Sequence, residues 1–258
     1  MRVGAQHQVT RLDDTASSWY RSEQLGTVRE HMSSSGFLER LSPRERGLIE
    51  SRSVERSYRR GATLFLEGDS AFEVLFIQRG HLKITVGSHD GREVLLEIRG
   101  RGDVVGEMAI IDDSVRSASA VSLTSPTEVL ALSVRDFREL IDSDTHFTRS
   151  LLEEMVRKVR GASSHQLELA LDDVAGRVAR RILDLDRRFG RMRAGVVRVK
   201  SPITQQEIAD WAGVSRQAVV KELSQLRDEG IVEARGSAMT ILDRDTLVER
   251  ASRLSGFT

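Results

Sequence analysis

The sequence predicts an α+β fold. A run of short strands closes into a β-sandwich or barrel, a long helix follows, and a smaller helical block ends in a β-hairpin. Three observations carry this reading. Between Tyr58 and Leu132, short apolar runs alternate with glycine-rich turns. From Val134 onward the apolar spacing lengthens to the helical period. After about residue 171, two short helical patterns meet at Gly213 and give way to strand-like runs.

Composition bounds the possibilities. The chain has 258 residues, of which 39% are hydrophobic and 30% charged, enough apolar material for one or two cored domains. Lys+Arg is 39 and Asp+Glu is 39, a formal charge of zero. Taken over the whole chain, that balance argues against a nucleic-acid partner. Cysteine is absent, which excludes disulfides, thiolate zinc sites, iron–sulfur clusters and cysteine nucleophiles, and fits a reducing cytoplasm. No apolar run approaches the roughly 20 residues of a bilayer span, and the first twenty residues lack a signal-peptide core. The expectation is a soluble, cytoplasmic protein with no membrane partner.

Residues 1–30 are polar and without period, and read as a flexible extension. Phe37-Leu38, Leu41 and Leu48-Ile49 have helical spacing, with Ser42 as N-cap and Pro43 at the first helical position. The strand runs follow: Thr63 to Leu66, Val74 to Ile77, Leu82 to Val86 and Val94 to Ile98. Asp90-Gly91 between the last two is a hairpin signal. Leu152, Met155, Val159, Ala162, Gln166 and Leu169 then recur at spacings of three and four. That spacing fits the seam of a two-stranded coiled coil or one helix packed on its own domain. Gly161 interrupts it at a cost of about 1 kcal/mol. A second helix runs from Asp173 to Phe189, with a hinge around Leu171-Asp172-Asp173.

The most specific signal runs from Ile203 to Leu223. Thr204 caps a helix, and Glu207 three residues on completes a capping box. Ile208, Trp211 and Ala212 form an apolar face, and small Ala209 allows close helix approach. Gly213 supplies the positive φ of a tight turn. Ser215 caps a second helix anchored by Val219 and Leu223. This is a helix-turn-helix whose outward Arg216, Gln217 and Lys221 suit base edges in a major groove. Thr204 and Ser215 are candidate phosphate donors. Gly230 to Val232 and Met239 to Leu242, around Arg235-Gly236, read as a wing. Glu222 stands where a buried apolar residue is commoner. Between Arg177 and Lys221 there are 11 basic and 4 acidic residues, read as a phosphate-facing patch with salt-dependent binding.

The second signal is Gly106-Glu107-Met108-Ala109-Ile110-Ile111, followed by Val115-Arg116-Ser117-Ala118-Ser119. Gly106 lets backbone N–H groups approach a ligand. Glu107 can accept from a ribose hydroxyl. Arg116 offers a planar donor fork to a phosphate, and Ser117 adds a hydroxyl. The alternative is an Arg–Glu pair that only braces the barrel.

This order of cassette, long helix, hinge and winged helix-turn-helix resembles the cyclic-AMP receptor and fumarate–nitrate regulator (Crp/Fnr) family of bacterial transcription regulators, over roughly residues 37–243. Gly61, Gly68, Gly80, Gly102-Asp103, Asp173-Val174 and Gly176-Arg177 fall into its pattern. The resemblance implies a β-roll (double-stranded β-helix or jelly-roll) over 31–144, a dimerisation helix over 145–171 and a winged DNA-binding domain over 172–258. It implies a homodimer that binds double-stranded DNA and meets RNA polymerase. Cyclic AMP is the implied effector, with cyclic GMP or another cyclic nucleotide as variants, held by Gly106, Glu107, Met108, Arg116, Ser117 and Ser163. No metal is implied. The family's adenine-contacting Thr-Ser pair falls on Ala162 and Ser163, so the threonine hydroxyl is missing. Gln217 stands where cyclic-AMP receptors carry Glu, and Lys221 where they carry Arg. The alternative function is a regulator of the same fold that is nucleotide-independent or senses another effector. An enzyme is not expected. The six histidines show no metal spacing, and no nucleophile motif or phosphate loop appears. His81 reads as a packing residue rather than a haem ligand.

Overall fold

In a computed structural model of the chain, residues 36–88, 91–193, 196–235 and 238–252 are described. The expected extension over 1–30, Asp90 of the hairpin turn and Gly236 of the wing lie outside them.

Two short helices come first. Helix α1 spans Phe37–Arg40 and α2 spans Pro43–Arg52. Ser42 and Glu45 form a full capping box at α2, with Pro43 at its start. Eight strands follow: β1 Val54–Tyr58, β2 Thr63–Phe65, β3 Glu73–Arg79, β4 Leu82–Gly87, β5 Glu93–Arg99, β6 Val104–Val105, β7 Ser119–Ser122 and β8 Thr127–Ser133. Helix α3, Met108–Ile111, lies between β6 and β7. The strands pair antiparallel in two sheets, in the orders β1-β8-β3-β6 and β2-β7-β4-β5. Leu75 and Ile77 of β3 meet Leu82 and Ile84 of β4 in the interior between the sheets.

The other face of β3 explains why Val74 to Ile77 is apolar throughout. Val74 and Phe76 point outward into a second core with Phe37, Phe137, Phe147 and Leu151. A strand covered on both faces has no polar side to show. The covering helices are α1, α4 (Val134–Ser143) and α5 (Thr145–Leu171). Phe147 stands edge-on to both Phe37 and Phe137, at centroid distances of 5.9 Å each.

Helix α6 spans Val174–Phe189 between its caps Asp173 and Gly190, as the sequence predicts, and β9, Gly190–Arg193, follows directly. Strand β10, Val196–Lys200, pairs with β9. Helices α7, Gln205–Ala212, and α8, Arg216–Asp228, form the helix-turn-helix. Strands β11, Val232–Arg235, and β12, Ala238–Ile241, complete a sheet of order β11-β12-β10-β9. A final helix α9, Arg244–Ala251, buries Leu247 and Ala251.

The C-terminal block is not separate from the β-roll, as the sequence suggested. Its core contains Leu95, Ile98 and Leu123 of the roll together with Val178, Ile182, Ile208 and Trp211. A β-bulge makes this possible. Ile84 pairs with Glu97 but Thr85 pairs with Leu95, so Leu96 is an extra residue. The bulge turns Leu95 and Ile98, three apart in sequence, toward the same core and leaves Leu96 exposed.

Phe147→Ala removes a fully buried ring shared by three helices. It is expected to lower stability by about 3–5 kcal/mol, read as a shift in the urea unfolding midpoint.

Candidate functional site

The cassette begins where β6 ends. Gly106 has φ +83°, a conformation that L side chains resist. A Cβ there would collide with Nη1 of Arg116. Arg116 is only 3% exposed. Its Nη1 donates to the Gly106 carbonyl at 2.6 Å and its Nη2 to the Glu73 carbonyl at 2.7 Å. Its guanidinium lies 4.3 Å above the Phe65 ring. Its Nε is buried with no partner. Burial works against its charge, and the carboxylates of Glu73, Glu107 and Asp69 work for it.

Arg116 and Glu107 therefore do not form the bracing pair that was the alternative for this barrel. Glu107, 1% exposed, accepts instead from Nζ of Lys158 on α5, at 2.6 Å. Lys158 also donates to the Val104 carbonyl at 3.1 Å. Sequence reasoning missed Lys158. The available signal was its place one helical turn before Ala162, on the face where the family carries ligand contacts. The structure thus brings Gly106, Glu107, Arg116 and Lys158 together. Met108, Ser117, Ala162 and Ser163 are exposed. The donor set fits a cyclic nucleotide: a buried cation whose Nε–H has no partner for the phosphate, a buried carboxylate for a hydroxyl, and a glycine whose missing side chain leaves room for the Arg116 guanidinium.

The helix-turn-helix forms as its caps dictate. Thr204 Oγ1 accepts from Glu207 N at 3.2 Å, and Glu207 Oε2 accepts from Thr204 N at 2.8 Å. Gly213 has φ +62°, and its N–H reaches the Asp210 carbonyl at 3.1 Å. Ser215 Oγ accepts from Ala218 N at 3.2 Å. Val219 and Leu223 are buried, while Arg216, Gln217 and Lys221 are exposed along α8. Glu222 is buried, and its Oε2 has no partner.

Two expectations need correction. Thr204 is not free to donate to a phosphate, because its hydroxyl proton goes to Glu207 Oε2 at 3.0 Å. The basic run from Arg177 to Lys221 is not one phosphate-facing patch. Arg180 pairs with Asp172 at 2.7 Å, Arg181 with Glu168 and Arg187 with Asp184. Arg177 donates to the Gly213 carbonyl at 3.3 Å. With Arg180, Arg181 and Arg187 paired to carboxylates, Arg188, Arg191, Arg198, Lys200, Arg216 and Lys221 are the exposed basic residues of the run that can meet an anion.

Comparison with known proteins agrees with both halves. Residues 55–144 match the cyclic nucleotide-binding domain family. Residues 176–250 match the Crp-like helix-turn-helix domain family. The chain is 34% identical over 224 residues to the CRP-like cAMP-activated global transcriptional regulator of Mycobacterium tuberculosis H37Rv, covering 86% of this chain and 99% of that protein. The chain belongs to the CRP/FNR family of transcriptional regulators. It is also 28% identical over 181 residues to the cAMP-activated global transcriptional regulator CRP of Escherichia coli O157:H7, covering 70% of this chain and 85% of that protein. In fold it is similar to a CRP/FNR family regulator of Thermus thermophilus, with TM-score 0.68, 20% identity and coverage of 78% of this chain and 99% of that one. FixK2 of Bradyrhizobium japonicum is similar in fold too, with TM-score 0.65, 24% identity and coverage of 77% and 96%.

In this CRP/FNR regulator the two halves are tied at the hinge and across the roll. Asp172 ends α5 and Asp173 caps α6 through Gly176 N at 2.6 Å. Arg180 clamps Asp172 and the Ala251 carbonyl of α9, the latter at 2.8 Å. Arg181 joins Glu168 of α5 and lies 4.9 Å over the Trp211 ring of α7. Across the roll, Lys83 Nζ donates to Glu207 at 2.8 Å, and Arg60 to the Pro202 carbonyl at 2.7 Å. A cleft of about 630 Å³ separates Arg92 and Val94 of the roll from Gln206, Asp210, Arg216 and Gln217. Among the described residues no helix is long and apolar enough to cross a membrane.

His81 packs against Phe189 of α6, with ring centroids 4.5 Å apart. Burial, and then the nearby Arg188 charge, push it down to about 4. A depressed histidine favours the neutral ring in the folded state. The contact therefore contributes stability that is full above pH 6.5 and lost as pH falls toward 4. Between pH 7.5 and pH 5 the wild type is expected to lose about 1–2 kcal/mol more than His81→Gln. Urea midpoints at the two pH values measure it, and equal losses would sink this account of His81.

Proposed function

We propose that this regulator is controlled allosterically by a cyclic nucleotide, with cyclic AMP as its effector. The observation that carries the reading is the Glu107–Lys158 contact, at 2.6 Å. It joins the buried cassette to the same helix whose far end holds the hinge through Glu168 and Arg181. A nucleotide hydroxyl at Glu107 competes with Lys158. A phosphate at Arg116 competes with the Gly106 and Glu73 carbonyls. The exchange at Glu107 changes what α5 holds, and α5 leads to the DNA-binding half. The relatives named above as cAMP-activated support the choice of nucleotide, and Gly106, Glu107, Arg116 and Lys158 suit any cyclic nucleotide. Met108, Ser117 and Ser163 are exposed and are assigned to the base and ribose.

The domains assigned are the cyclic-nucleotide β-roll up to residue 144, the dimerisation helix over 145–171 and the winged helix-turn-helix from 172. The regulator acts in the cytoplasm as a homodimer, joined along α5. Phe147 and Leu151 of α5 are buried in the roll, but Leu152 and Val159 are 64% and 66% exposed, and Leu169 is also exposed. Such a stripe on a monomer suits a second copy. Met155 stands at its edge, Ala162 and Gln166 continue it, and Gly161 has open space around it for a close neighbour. The dimer reads a two-fold double-stranded DNA site with half-sites about one helical turn apart, through Arg216, Gln217 and Lys221 with Ser215 on the backbone. RNA polymerase is its partner at promoters.

A second reading has one observation in its favour. Both Nη atoms of Arg116 already hold protein carbonyls, as a nucleotide-independent regulator would need. Calorimetry separates the two. Cyclic AMP should give binding heat with the wild type and none with folded Arg116→Leu, while basal DNA affinity stays within about threefold. No heat with any cyclic nucleotide on the wild type would establish the second reading. For the dimer, Val159→Glu should convert a sedimentation species of twice the chain mass into a monomer. A wild type that sediments as a monomer at micromolar concentration would refute the seam.

A further inference from the structure

Helix α8 has an inward face of Val219, Glu222, Leu223 and Leu226, all buried. Its outward face carries Arg216, Gln217 and Lys221, and set among them is Val220, 46% exposed. Val220 lies four residues after Arg216 and three after Gln217, so the three side chains neighbour one another on the helix surface. Val219 alone anchors the core at this level, with no exposure. A β-branched residue at an exposed helix position is also a poorer helix former than Ala or Lys. Neither packing nor propensity accounts for valine here.

We infer that Val220 is a specificity-determining residue that contacts the C5-methyl group of a thymine in the operator. The inference rests on the DNA-reading role proposed above and deepens it. The thymine methyl is the apolar group that a base pair presents in the major groove. Valine ends in two methyls on a stem that holds one strongly preferred rotamer in a helix, so its position is set before binding. Four residues of helix rise about 6 Å, and base pairs on one strand are about 3.4 Å apart. The thymine therefore lies within about two base pairs of the one read by Arg216. A cytosine at that step offers no methyl, so the contact separates T·A from C·G without a hydrogen bond.

The test uses the full chain. Binding sites are selected from random duplex DNA, with and without cyclic AMP. Each thymine of the selected site is then replaced by deoxyuridine, which lacks only the methyl. For the wild type, one thymine per half-site should lose about fourfold in affinity on replacement, as expected for one buried methyl. For Val220→Ala the same replacement should cost nothing. Val220 is exposed, so the variant should keep the wild-type melting temperature. Loss of affinity that is equal in wild type and Val220→Ala, or no loss in the wild type at any thymine, overturns the inference and leaves DNA reading intact. Failure to select any site overturns the DNA-reading proposal, and this inference with it.

Discussion

A carboxylate as buried as that of Glu107 needs a cation, because an unpaired charge in a protein interior is costly. The cation comes from Lys158, 51 positions later and on another element. That requirement binds the cassette to α5. Helix α5 is 27 residues long, about 40 Å at the helical rise. Phe147 and Leu151 root its start in the roll, and Glu168 near its end pairs with Arg181 of α6. One rigid element therefore touches the roll, the cassette and the hinge in turn. Anything that exchanges partners with Glu107 acts on the same body that positions the DNA-binding half. Coupling of this kind is reciprocal: a ligand that shifts the hinge must itself be bound differently when DNA holds the hinge in place.

The second constraint is the bulge at Leu96. Without an extra residue, β5 would alternate strictly, and Leu95 and Ile98 would face opposite ways. With it, the outer face of the roll presents apolar surface to α6 and α7. The DNA-binding half is therefore held by a shared core as well as by the polar contacts of Lys83 with Glu207 and Arg60 with Pro202. Glu207 serves twice, as the capping residue of α7 and as the acceptor from the roll. His81 adds a contact that asks for a neutral ring.

Charge illustrates how far counting carries. The net zero of the chain hides 16 basic and 13 acidic residues over 171–258. Yet much of that excess faces inward, spent on Glu168, Asp172 and Asp184. What remains exposed lies on the end of α6, on β9 and β10, and on α8. Arg180 and Arg181 of α6 hold its junction with α5, and Arg244 and Arg250 of α9 pair with Asp186 and Glu229.

What the sequence determined by itself was local. Ser42, Thr204 and Ser215 cap helices, Gly213 takes a positive φ, Val74 to Ile77 forms a strand and Leu152 to Leu169 a helical stripe, because each rule acts between neighbours a few positions apart. The motif residues Gly106, Glu107 and Arg116 were legible for the same reason. Their partners were not. Lys158 opposite Glu107, the two carbonyls under Arg116, the arginines turned toward Asp172 and Glu168, and the proton that Thr204 gives to Glu207 all depend on which surfaces the fold brings together. Burial decides which charges must pair, and burial is a property of the packed chain. The tertiary structure alone decided that the two halves share a core, since a single bulge residue is silent until its strand has a neighbour on either side.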